Sequence, residues 1–188
     1  LINVGNRISN IYLVELQKGY LLIDTGYREQ FERFEKALNK KGIALDDIQY
    51  VFITHAHDDH VGFLNQLLER TPAKVILHPE SIERLKAGQN SFQGGCSSRL
   101  AWLFCQLMKS FGKGDHRFDP VDASDHYIPV TAETLPDIEK TLSARIVFLP
   151  GHTKDSMGLL FENKALFCGD AAMSGIPSRN HVIIWIED

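Results

Sequence analysis

The chain has 188 residues, 44% of them hydrophobic and 23% charged, long enough to bury a core without disulfide staples. Twenty basic against 24 acidic side chains leave a net charge of −4, which argues against a partner held by its phosphate backbone, so no nucleic acid is expected. The longest uninterrupted apolar run, 100–105, is six residues, far short of a membrane span, and no basic-then-apolar leader opens the sequence.

Cys96, Cys105 and Cys168 are far apart and form no CxxC pair, which suits a reducing, cytoplasmic compartment better than a disulfide framework. In chain order, the apolar runs 11–16 and 20–23 flank Gln17-Lys18-Gly19 and predict a hairpin. The spacing of Phe31, Phe34, Ala37 and Leu38 predicts a helix over 29–41, stopped at Gly42. A strand is expected over 48–54, a helix over 61–70, a strand over 74–78 and a helix over 79–86. Further on, 144–149 is a strand, 157–162 and 165–168 form a second hairpin, and 182–186 is a strand or a helix start. Strands alternating with helices, and hairpins at both ends, favour a mixed-sheet α/β domain.

Residues 88–143 break this pattern and predict a helical insertion in an otherwise single domain, 1–188. Within it, residues 100–111 are apolar almost all round. Such a helix must be covered, by the domain itself or by another copy in a homo-oligomer. The same segment would also suit the wall of a pocket for a small-molecule substrate with an apolar portion.

Three of the eight histidines, His55, His57 and His60, fall within six residues, with Asp58 and Asp59 among them. Residues two apart on extended backbone point the same way, so His55 and His57 can converge on one ion. Once the chain turns, Asp59 and His60 can aim at a neighbouring position. Imidazole suits zinc, iron, nickel or copper, and carboxylate adds hard-oxygen character. A mixed His/Asp set is typical of a catalytic centre, whereas structural zinc more often uses thiolates. The competing reading is a solvated polar turn.

The pattern His55-x-His57-x-Asp59-His60 resembles the signature of the metallo-β-lactamase-fold hydrolases. Leu22-Ile23-Asp24-Thr25-Gly26 resembles that family's first motif, Gly151-His152-Thr153 with Ser156 its third, and Phe167-Cys168-Gly169-Asp170 its fourth. The resemblance implies an αββα four-layer sandwich of two mixed β-sheets flanked by helices, C-terminally incomplete in this chain. It implies two divalent metal ions, zinc first, with iron or manganese as alternatives. His55, His57 and His152 would hold one ion, Asp59 and His60 the other, and Asp170 would bridge them. Asp24 would support a ligand or the histidine loop, its plainer role being a turn residue before Gly26. The family usually adds a further histidine; His181 is the one candidate here, and the true ligand is expected in a C-terminal segment beyond residue 188.

The implied activity is hydrolysis of an ester-like substrate (thioester, lactone or phosphodiester) by a metal-bound hydroxide, with Asp59 holding its attack direction. Ser156 is expected to cap a loop and Cys168 to pack. A redox enzyme on the same ligands, such as an iron-dependent sulfur dioxygenase, is the alternative, and a sensing module without turnover is a third reading.

Overall fold

The computed structural model describes residues 1–5, 9–90, 116–174, 179–180 and 183–185. Strands β1 (Ile2–Asn3), β2 (Tyr12–Glu15), β3 (Tyr20–Ile23), β4 (Ile48–Phe52), β5 (Lys74–Leu77) and β6 (Tyr127–Pro129) form one sheet in that order. Its first two pairings are antiparallel and the other three parallel, so this sheet is mixed. A second sheet, of order β12-β9-β8-β7, comprises β7 (Ala144–Phe148), β8 (Met157–Phe161), β9 (Ala165–Phe167) and β12 (Ile183–Trp185), all antiparallel. The short strands β10 (Met173–Ser174) and β11 (Arg179–Asn180) pair with each other.

The central strands of the first sheet are apolar on both faces because both are covered, as parallel strands generally require. Leu22, Val51, Val75 and Leu77 pack in one cluster with Phe31, Phe34 and Leu38 of α1 (Phe31–Asn39), Leu64 and Leu67 of α3 (Leu64–Leu68), and Leu85 of α4 (Ser81–Ala87). Alternate residues of the same strands, Leu21, Ile23, Phe52 and Ile76, face the other way. They meet Ile146, Met157, Leu159 and Phe167 of the second sheet. Layers of helix, sheet and sheet follow among the described residues, three of the four layers of the αββα sandwich that the resemblance implied.

Both expected hairpins are present, and within the run 182–186 the described residues Ile183–Trp185 form a strand, β12, on the edge beside β9. Of the helix expected over 61–70, Leu64–Leu68 forms α3, and a separate short helix, α2 (Asp58–Val61), precedes it, the two parted at Gly62-Phe63. A Cβ on Gly62 would lie 2.4 Å from the Asp58 carbonyl oxygen and 2.5 Å from that of Gly26. That close approach presses the turn after β3 onto α2. Within 88–143, β6 is hydrogen-bonded to β5, and Ile138 and Leu142 of α5 (Leu135–Leu142) join the core between the sheets. Those parts belong to the domain's framework. Residues 100–111, Cys96, Cys105 and His181 lie outside the described residues.

Candidate metal centre

The site forms where strands of both sheets end. β4 runs out into Thr54-His55-Ala56-His57, and α2 then carries Asp59 and His60. From the other sheet, the loop after β7 brings His152, and the turn after β9 brings Asp170. Gly169 makes the second approach possible. Its φ is +52°, and a Cβ there would stand 2.6 Å from Thr54 Oγ1.

The imidazoles meet. Ligand atoms of His55, His57 and His152 lie within 4.8 Å of one another, and so do those of His55, His60 and Asp170. His152 Nε2 is 3.1 Å from His57 Nδ1, His60 Nε2 is 3.2 Å from Asp170 Oδ1, and His152 Nε2 is 3.6 Å from Asp170 Oδ2. Asp59 stands beside the second set, with Oδ2 3.6 Å from His60 Nε2. His55, His57 and His60 are all buried.

Asp24 does more than turn the chain. Its φ of 55° is left-handed, a region Asp tolerates better than most residues. From there, Oδ2 lies 2.8 Å from His60 Nδ1 and accepts the Thr54 hydroxyl at 2.7 Å, while Oδ1 accepts the Thr54 N–H at 2.8 Å. A proton on Nδ1 satisfies Asp24 and leaves Nε2, on the side of Asp170, as the atom that could take an ion, the usual way a carboxylate sets the tautomer of a ligating histidine.

Burial, then the neighbouring histidines, drive His55 well below its ordinary pKa, and burial followed by His152 and His60 pushes His57 down to about 3. Both rings are therefore neutral, as metal ligands must be. His60 is opposite: burial disfavours its cation, but Asp59 and Asp24, with Asp170, outweigh that and raise it, so an ion binding there would displace a proton. Burial raises Asp59. Asp170 is lowered, because attraction to the facing His60 ring outweighs burial.

His55 Nε2, His57 Nε2, His60 Nε2 and Asp170 Oδ1 are buried with no hydrogen-bond partner among the described residues. Orphaned buried polar atoms are rare in folded proteins. Four of them converging in one place, three nitrogens and a carboxylate oxygen, form a donor set compatible with a divalent metal ion.

The other described histidines do local work. His78 Nδ1 accepts the Glu80 N–H at 3.2 Å, His126 Nδ1 is 2.8 Å from the Ala73 carbonyl, and His116 Nδ1 is 3.5 Å from Asp58. Ser156 Oγ accepts the Thr153 N–H at 3.2 Å, a loop cap, and Cys168 is buried in the core. Sequence reasoning passed over Thr54, Ser81, Arg84 and Asp155. Asp155 sits inside the third motif, and an acidic residue there was the one available signal.

The family profile described as the metallo-beta-lactamase superfamily matches residues 4–184. A probable metallo-hydrolase, YflN, of Bacillus subtilis is 23% identical over 89% of this chain and 62% of its own length. A hydroxyacylglutathione hydrolase of Shewanella pealeana is 27% identical over 92% of this chain and 45% of its own. The chain thus spans less than two thirds of these relatives. Among solved structures, a subclass B3 metallo-beta-lactamase from a soil metagenome superposes with a TM-score of 0.62, at 21% identity, over 84% of this chain and 52% of that one, a likeness of fold. No helix among the described residues is long and apolar enough to cross a membrane.

Proposed function

Because the chain belongs to the metallo-beta-lactamase superfamily, we propose that it is a metal-dependent hydrolase of a small ester-like substrate, working with two divalent ions, zinc foremost. The observation that carries this reading is the set of four orphaned donor atoms on His55, His57, His60 and Asp170. His55, His57 and His152 would hold one ion; His60 and Asp59 would hold the other, with Asp170 between them. Such ions acidify water to a pKa of about 7 and polarise a carbonyl or phosphoryl oxygen.

The chain's own groups do the rest. Asp24 holds the Nδ1 proton of His60 and so keeps Nε2 available. Asp59, whose proton affinity burial raises, takes a hydrogen bond from the attacking water and fixes its direction. As the water oxygen bonds to the electrophilic centre, the bond to the thiol or alcohol leaving group breaks, and the water's proton ends on that group. No serine or cysteine nucleophile is needed. The hydroxyacylglutathione hydrolase among the relatives favours a thioester as the first class to assay, with a lactone and a phosphodiester next.

The test is metal analysis of the purified chain paired with turnover of those three substrate classes, before and after chelation. Zinc content with hydrolysis that chelation abolishes and zinc restores is the expected result. Bound iron with oxygen consumption and no hydrolysis would overturn it in favour of a redox enzyme.

A further inference from the structure

The two halves of the site belong to different sheets, and besides the contacts among the ligand side chains, two hydrogen bonds tie their backbones together among the described residues. One is backbone alone: the Met157 N–H donates to the Thr54 carbonyl at 2.8 Å. The other passes through a side chain: Asp155 Oδ2 accepts the Ala56 N–H at 3.0 Å. Ala56 lies between His55 and His57, and Asp155 lies three residues after His152. One carboxylate therefore ties together the backbone segments that carry all three imidazoles of the first set.

That carboxylate is fully buried, a costly place for a charge unless it is paired and hydrogen-bonded. Here it is both. Ser81 Oγ donates to Oδ2 at 2.7 Å, and Arg84 Nη1 meets Oδ1 at 2.5 Å. Burial pushes the Asp155 carboxyl up, but hydrogen bonds from Thr153 and Ser81 and the Arg84 charge outweigh it and hold the group below the usual range. Ser81 and Arg84 both come from α4, which packs in the helical layer and fixes the carboxylate against the first sheet. Without this acceptor the Ala56 N–H would be buried and unsatisfied, and among the described residues the Met157–Thr54 bond would be the backbone tie left between the two loops.

We propose that Asp155 is the positioning residue of the imidazole set: held by Ser81 and Arg84, it fixes the Ala56 amide and so the separation of His55 and His57 from His152. It touches neither ion nor substrate. The proposal rests on the metal-hydrolase reading and adds to it the residue that sets the geometry of its first metal position.

Cobalt(II) titrated into the chelated full chain reads this geometry directly, through the affinity and the visible ligand-field spectrum. Asp155→Asn keeps an oxygen for the Ala56 N–H but loses the charge paired with Arg84. It is expected to weaken cobalt binding about 10-fold or more and to alter the spectrum. Asp155→Ala, which loses both, is expected to weaken it further. Leu142→Ala, a cavity in the core between the sheets, serves as the control: it lowers the melting temperature but leaves affinity and spectrum as in the wild type. Wild-type affinity and spectrum in Asp155→Asn would overturn the positioning role while leaving the metal reading intact; an equal spectral change in Leu142→Ala would do the same. A wild-type chain that takes up no cobalt would overturn both. Should Asp155→Ala fail to fold, Asp155→Asn decides the matter.

Discussion

His60 lies between two carboxylates, with Asp24 2.8 Å from Nδ1 and Asp170 3.2 Å from Nε2, while its neighbour Asp59 faces the same side. Asp59 is the residue whose loss should separate chemistry from folding. Asp59→Ala is expected to lower kcat by about 10²- to 10⁴-fold with little change in melting temperature, and unchanged kcat would contradict its role. His57 carries a pH signature. Its folded-state pKa, about 3, is below the ordinary histidine value near 6.5, so the unfolded chain binds a proton that the folded chain refuses. His57 therefore contributes stability above pH 6.5 that is lost as pH falls toward 3. The melting temperature of the chelated protein should drop through that window less steeply in His57→Gln than in the wild type; parallel curves would contradict this. The spacing His55-x-His57-x-Asp59-His60 was legible because its geometry is local: an extended pair, then a turn. Asp155 was not, because its role comes from Ser81 and Arg84, 74 and 71 residues away.

At the scale of elements, the break between α2 and α3 is what seats the site. Phe63, fully buried at the break, packs against Phe34 and Phe31 at ring separations of 4.9 and 5.5 Å. Phe63→Ala should cost about 3–5 kcal/mol, read as a fall in the denaturant midpoint, and a cost below about 1 kcal/mol would show that the aromatic cluster does not anchor α1 to this turn. The periodicity of Leu64, Leu67 and Leu68 gave the helical face but not the break, because Gly62 looks tolerable in a helix until the backbone of Gly26 is known to touch it. Strand β6 was hidden for a different reason. Tyr127-Ile128-Pro129 is too short and too proline-marked to stand out, and only its pairing with β5 makes it a strand. Helix α5 has a recognisable Ile138–Leu142 pair, yet no motif in the sequence just before it marks the return to the core.

At the scale of the whole molecule, the ordered motifs told more than the element assignments did. Asp24, His55 to His60, His152 and Asp170 come from opposite sheets and distant parts of the chain, and the fold places them at one edge. An ion bound there joins the sheets, so it should stabilise the folded state by mass action, about 2.7 kcal/mol at a free concentration 100 times its Kd. Chelation is expected to lower the melting temperature and added zinc to restore it; a melting curve indifferent to both would contradict the coupling. The most direct test of the whole account uses His55, which belongs to both sets of ligand atoms. Zinc titrated calorimetrically into the chelated chain should bind the wild type, and His55→Ala should lose the position held by His55, His57 and His152. Equal zinc uptake by His55→Ala, or none by the wild type, would contradict it.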